Sequence, residues 1–410
     1  MKNSLGLRLL DELLNLLDEG KDADAGRIVK NPTQSYTDEQ RATREWQLFF
    51  REYPQLIGLS GDIPNPGDYI INNDLGVSVI ALRDKQKKFR VFLNACRHRG
   101  AQLCEKERGK RNSFSCPFHG WTYDSSGRLI GVPEDQNFGL ADRASFGLVE
   151  LPSEERYGLL WMHPQREGAL SVEDILGPLA EDFESWDLSQ HMHAGENIIK
   201  KNMNWKLAND TFGENYHFKR LHKNTLNNIA IGDAHVFETF GRNSRLVFAS
   251  RGIHKLKDKP RARWRIDAAT TILYFLFPNI QMTVSNRQVA MFRIYPDGPT
   301  AQRSVIKVGH YFSAEALDLI DNSSKTVIGD HNVYDATARD GNAIVSPEAT
   351  MEVINSTAEN EDFKMAEMAH RSAESGLLDQ IIFGRNEPAL HHFHNTYNEA
   401  LGLAPLEELH

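Results

Sequence analysis

The chain has 410 residues, a net charge of −9, an isoelectric point near 6.0 and a mean hydropathy of −0.49. That length favours two domains, the lack of a basic stripe argues against a nucleic-acid partner, and no apolar run approaches the ~18 residues of a membrane span. Three cysteines without a secretion signal fit a reducing cytoplasm better than a disulfide framework.

The N-terminal stretch MKNSLGLRLLDELLNLLDEG is leucine-rich, but Arg8, Asp11 and Glu12 interrupt it as a signal peptide. Leu9, Leu10, Leu13, Leu16 and Leu17 follow helical spacing, so the segment is expected to pack on the body or on another subunit. Its acidic polar face does not suit a membrane surface. Residues 1–53 read as helical with a break near KNPTQSYTDEQ, and Thr37 or Asp38 is placed to cap the helix through QRATREWQLFFREY. From 54 to 165 the pattern is β: GVSVIAL, KKFRVFLNAC and YGLLWMHP read as strands, and SSGRLIGVPED as a hairpin turn. After HPQREGALSVEDILGPLAEDFESWDLS the composition returns to helix, and ENIIKKNMNWKLAND begins a second unit within 166–410. SRLVFASR, TILYFLFP, NIQMTVSN, QVAMFRIYP and RSVIKVGHYF suggest one antiparallel sheet, and 346–381 and 386–402 read as helices. The expected class is α+β, with a small β domain inserted near the N-terminus of a larger domain.

All three cysteines fall between 96 and 116. Cys96-x-His98 and Cys116-x-x-His119 form two pairs, with Cys104 left over on the loop between them. Two cysteines and two histidines on paired β loops suit zinc or a two-iron cluster. One residue between Cys96 and His98 is short for structural zinc, which spaces its first pair by about two to four. In a Rieske [2Fe–2S] centre two cysteines hold one iron and two histidines the other. Each loop then supplies one of each.

A second constellation lies in NWKLANDTFGENYHFKRLH. His217 and His222 are five apart, which on an ideal α-helix separates them by about 140°. One metal can take both only if a π-bulge or a helix end reshapes the segment. Glu214 lies one turn before His217, where a carboxylate orients a ligand histidine. Two histidines and a carboxylate make the facial triad of non-haem Fe(II) oxygenases. In STAENEDFKMAEMAHR, Glu359, Glu361 and Asp362 all qualify, and spacing does not choose among them. His391, His392 and His394 form a competing cluster for which hydrogen-bonding or surface roles are expected.

The CPFHGW string, the NWK…E-x-x-Y-H-x-x-x-x-H stretch and the ED pair together resemble the terminal oxygenase α subunit of the Rieske non-haem iron ring-hydroxylating oxygenases, over nearly the whole chain. The resemblance implies a Rieske domain over 54–165 and a helix-grip (START/Bet v1-like) catalytic domain over 166–410. It implies a [2Fe–2S] cluster on Cys96, His98, Cys116 and His119, and a mononuclear Fe(II) on His217, His222 and Asp362. Glu214 matches a position more often aspartate, which bridges His119 of one subunit to His217 of the next; the family is commonly a homotrimer, with or without a small β subunit. Asp210 departs from an expected asparagine, so an added acid near the iron, bonding a water or substrate group, stands beside a packing role. Electrons would come from NAD(P)H through a separate reductase, with or without a ferredoxin, since no flavin or dinucleotide fingerprint is present. O₂ would then hydroxylate an aromatic or other largely apolar ring. Oxidative N- or O-demethylation, a non-enzymatic Rieske electron carrier and a zinc-stabilised binding module are the competing readings.

Overall fold

The computed structural model describes residues 1–139, 142–317 and 347–410. Its contacts divide the chain into a smaller unit, Trp46–Ile175 with Asp187–His193, and a larger one, Met1–Glu45, Leu176–Trp186 and Ala194–His410. The smaller unit is therefore inserted into the larger one. The smaller unit starts at Trp46, where a π-helical segment, Trp46–Arg51, carrying the buried Phe49 and Phe50 follows the helix Glu39–Glu45. That helix is capped by Asp38, whose Oδ1 accepts from the backbone amides of Gln40 (2.7 Å) and Arg41 (3.0 Å).

The smaller unit is mainly β. A five-stranded sheet runs in the order 150–151, 89–93, 79–83, 68–72, 108–110, beside two three-stranded sheets. Its core gathers Tyr69, Ile80, Leu82, Phe92, Phe114 and Tyr123 around the cysteines. The hairpin expected in SSGRLIGVPED joins the strands Thr122–Asp124 and Leu129–Gly131.

In the larger unit seven strands form one sheet: β1 (His191–Lys201), β2 (Ala230–Phe240), β3 (Asn243–Ser250), β4 (Thr270–Leu276), β5 (Ile280–Val284), β6 (Gln288–Pro296) and β7 (Ser304–Ser313). Their order is β1-β7-β6-β5-β4-β3-β2, and the consecutive pairs from β2–β3 to β6–β7 are antiparallel. The helix α1 (Asn3–Glu19) lays Leu9, Leu10, Leu13 and Leu14 against β2 and β3, so the leucine stripe serves the body of its own chain. Its acidic face meets cations of the same unit: Asp11 pairs with Arg261, and Asp18 with Lys257.

The helix α2 (Trp205–Asp210) lies on the sheet against β6. The C-terminal segment supplies α3 (Pro347–Thr357), a π-helical turn at Ala358–Asp362, α4 (Phe363–Glu374) and α5 (Pro388–Ala400). Helix was expected through 381, but the chain leaves it at Glu374 and Gln380–Phe383 is a strand paired with Val29–Pro32. Position 346, where that reading began, lies outside the described residues. No described helix is long and apolar enough to cross a membrane.

Candidate metal centres

The two cysteine loops are built alike. Cys96 N–H donates to Ala101 O, and Gly100 N–H donates back to Cys96 O; Cys116 N–H donates to Trp121 O, and Gly120 N–H to Cys116 O. The four distances are 2.8, 2.9, 2.8 and 2.9 Å in that order. Gly100 and Gly120 close these turns at φ +76° and +74°, a region that disfavours any side chain. The loops bury Cys96 and Cys116 and bring the rings of His98 and His119 to 4.6 Å between centroids. Trp121 stacks on His98, and His98 Nδ1 is buried with no hydrogen-bond partner. Two buried thiols and an unpartnered imidazole nitrogen fit the iron–sulfur group the motif calls for. Cys104 is buried in the same core and bonds the Tyr69 hydroxyl, a packing position.

Tyr123 was not singled out from the sequence. Its hydroxyl accepts from Arg97 N–H at 2.9 Å, which leaves its own proton free to donate to Cys96 Sγ at 3.4 Å. Burial, then the Cys96 sulfur, pushes the Tyr123 phenol up from its ordinary value, so it remains a donor.

The second centre is assembled from two distant segments. α2 ends at Asp210, and the chain continues through turns rather than helix as far as His222. The expected irregularity is therefore a helix end. It brings His217 Nε2 and His222 Nε2 within 3.1 Å of each other. Asp362 Oδ1, at the end of the π-helical turn, lies 3.4 Å from the first and 3.1 Å from the second. Among the described residues this is the one group of three ligand types close enough to share an ion. Asp362 Oδ1 is buried without a hydrogen-bond partner. Burial opposes a charged His217, but the carboxylates of Asp362 and Glu214 outweigh it and push that imidazole up to about 10; the histidines in turn hold Asp362 below its usual range despite its burial. An anionic cup with an unpartnered oxygen fits a cation.

Each histidine is held from behind by its own carboxylate. Glu214 takes the Nδ1 side of His217, and its second oxygen accepts from His217 N–H at 3.1 Å. Glu361 takes Nδ1 of His222 at 2.8 Å and accepts from Thr225 Oγ1 at 3.0 Å. Of the three acids that spacing left open, Asp362 meets both Nε2 atoms and Glu361 stands behind His222. Two adjacent acids thus face different sides of the pair, as successive residues of a helical turn, about 100° apart, do.

Asp210 points elsewhere. Its carboxylate accepts from Tyr36 Oη at 2.7 Å and bonds His394 Nε2 at 3.0 Å through both oxygens. The neighbouring Thr211 lines the cavity instead, so a direct role for Asp210 beside the metal is not where this side chain is placed. His391 and His392 bond the carbonyls of Gly384 and Arg242, in keeping with the expected hydrogen-bonding roles. The NWK stretch is structural: Asn204 caps α2, and Trp205 and Lys206 both donate to the buried carboxylate of Glu45.

A cavity of about 390 Å³ opens against this centre. It lies between the sheet face that carries Phe248, Leu273 and Phe292, the turns after α2, and α3. Its size and largely apolar lining are those of a small-molecule site.

A β unit with paired Cys/His loops, and a sheet-and-helix unit with a two-histidine, one-carboxylate group, define a protein of two metal centres. Residues 179–403 match the ring hydroxylating alpha subunit (catalytic domain) family and residues 54–150 the Rieske [2Fe-2S] domain, so the chain belongs to the ring-hydroxylating alpha subunits. Membership implies a Rieske cluster in the smaller unit and a mononuclear iron in the larger. The chain is 28% identical over 307 residues to the benzene 1,2-dioxygenase subunit alpha of Pseudomonas putida, covering 73% of this chain and 62% of that protein. It is 28% identical over 198 residues to the glycine betaine monooxygenase oxygenase subunit of Chromohalobacter salexigens, covering 48% and 44%. It spans less than two thirds of the length of both. Among solved structures, the quaternary ammonium Rieske monooxygenase CntA with L-carnitine superposes at TM-score 0.71 and 20% identity over 91% of this chain and 95% of that one. Naphthalene 1,2-dioxygenase from Rhodococcus sp. bound to indole superposes at 0.67 and 20% over 96% and 98%.

Proposed function

We propose that this chain is a terminal oxygenase component that uses O₂ and externally supplied electrons to hydroxylate a largely apolar ring compound. The observation that carries the reading is the His217–His222–Asp362 group at the wall of an apolar cavity in a chain that also has the paired cysteine loops. An electron carrier has no use for that cavity, and a zinc module has no use for the second centre.

In this reading Cys96 and Cys116 hold one iron of the cluster and His98 and His119 the other, while His217, His222 and Asp362 hold the mononuclear iron. When bound, these groups supply one-electron transfer and O₂ activation. Glu214 holds the Nδ1 proton of His217 and keeps Nε2 turned to the metal; Glu361 does the same for His222. The phenylalanines of the cavity exclude water and orient the ring. His119 is exposed, which suits an approach by Glu214 of a neighbouring copy, and a head-to-tail homotrimer belongs to the proposal. A reductase, with or without a ferredoxin, supplies the electrons from NAD(P)H in the cytoplasm.

The test is iron and acid-labile sulfide content of anaerobically purified protein, with an EPR spectrum after dithionite. About three irons per two sulfides with a Rieske-type signal is expected. About two irons per two sulfides, unchanged by added Fe(II), removes the mononuclear centre and with it the oxygenase.

A further inference from the structure

The oxygenase reading leaves the substrate open, and the cavity lining narrows it. Among the described lining residues there is no lysine or arginine, and the carboxylates, Glu214 and Asp362, are both engaged with His217. Among the described residues a carboxylate substrate would find no lysine or arginine to pair with, and burying an unpaired charge is costly. The aromatic lining is Phe212, Phe218, Phe248 and Phe292, with neither tryptophan nor tyrosine, a poor cage for a quaternary ammonium group. An uncharged ring is what such a wall accepts.

Threonines and Ser285 also line the wall, but Gln288 differs from them in carrying a buried, unpaired amide nitrogen. Strand alternation places Gln288 on the same face of β6 as Phe292, whose ring packs on Phe212 at 4.8 Å between centroids. The backbone of Gln288 is satisfied, since its N–H donates to Ser285 Oγ and its carbonyl accepts from Ser285 N–H. Its side-chain Nε2 is buried and makes no hydrogen bond. The Asn215 side chain, 3% exposed, also has an unpartnered Nδ2 in the lining, but it sits beside Glu214 at the metal end. Leaving a buried amide donor unpaired costs about 1–3 kcal/mol, so a polar group on the occupant is favoured opposite it. We propose that the cavity takes a neutral ring compound bearing one uncharged hydrogen-bonding group, and that Gln288 reads that group. This inference rests on the oxygenase reading for the identity of the site.

The experiment is anaerobic titration calorimetry of the iron-loaded enzyme with four matched probes: 2-acetonaphthone, 2-ethylnaphthalene, 2-naphthoate and (2-naphthyl)trimethylammonium. The neutral ketone is expected to bind about tenfold more tightly than the hydrocarbon, the worth of one satisfied amide, and at least about tenfold more tightly than either ion. In Gln288→Leu the ratio of ketone to hydrocarbon affinity falls to about one. The ranking in the unaltered enzyme stands even if that variant does not fold. Either ion binding as tightly as the ketone, a ketone preference that survives Gln288→Leu, or no binding of either neutral probe overturns the inference. Iron and sulfide content of the same preparation separates the two ideas. A missing mononuclear iron sinks the oxygenase reading whatever the ranking, whereas intact iron with a reversed ranking sinks the substrate class alone.

Discussion

Single atoms decide how the side chains of the proposed metal centres behave. His222 is presented by Glu361 through Nδ1, so Glu361→Ala should weaken Fe(II) or Co(II) uptake by about 10–100-fold, with Glu361→Gln recovering part of it; a metal titration of the stripped protein reads both. The protonation of His217 sets a pH dependence. Without metal it is held charged up to about 10, against an ordinary value near 6.5. The stability this gives the metal-free protein is complete below pH ~6.5 and is lost as pH climbs towards 10. Metal must displace that proton, so apparent affinity should rise with pH, by up to about tenfold per unit. A flat profile between pH 6 and 8 would contradict the assignment. At the cluster, the Tyr123 hydroxyl bonds the Cys96 sulfur. Tyr123→Phe should lower the midpoint potential by about 20–60 mV, as the loss of one hydrogen bond of ~0.5–1.5 kcal/mol implies for a one-electron couple.

Whole elements are fastened by a few buried groups. Glu45, at the end of the helix Glu39–Glu45, receives Lys206 and Trp205 from α2, which leads into the histidine turns. Glu45→Ala would leave the Lys206 ammonium buried and uncompensated, a loss of roughly 3–5 kcal/mol, visible as a lower unfolding temperature. The same change should loosen the second metal centre and leave the cluster absorbance intact, since Glu45 and Lys206 both belong to the larger unit. Much of this level was legible. The strands β3 to β7, the α1 leucine stripe and the irregularity between His217 and His222 all follow from periodicity and ligand spacing, whereas the edge strands β1 and β2 were not read from the sequence. The π-turn at Ala358–Asp362 was not, because nothing in AENED distinguishes it from ordinary helix.

For the molecule as a whole, the proposed trimer makes one prediction that the single chain does not. If electrons pass from His119 of one copy to His217 of another, chains lacking the cluster (Cys116→Ser) and chains lacking the iron (Asp362→Ala) should complement each other. Refolded mixtures would then regain O₂-dependent turnover that neither variant shows alone. Sedimentation of the unmixed protein should give three copies per particle. Inactive mixtures that still form trimers would place both halves of the electron path within one chain.

Composition and motif spacing settle much of this protein without any coordinates. Paired Cys/His loops have little use outside a metal centre, and alternating apolar residues specify a sheet. What spacing left open was direction. Glu361 and Asp362 are neighbours in the chain and differ by one methylene, yet one backs His222 and the other faces both histidines. Asp210 is four residues from Glu214, yet it turns to Tyr36 and His394. Gln288 reads as one more polar strand residue until its unpaired amide is found in an apolar wall. Each outcome depends on groups more than seventy residues away in the chain, and such contacts exist only once the sheet and its helices have packed.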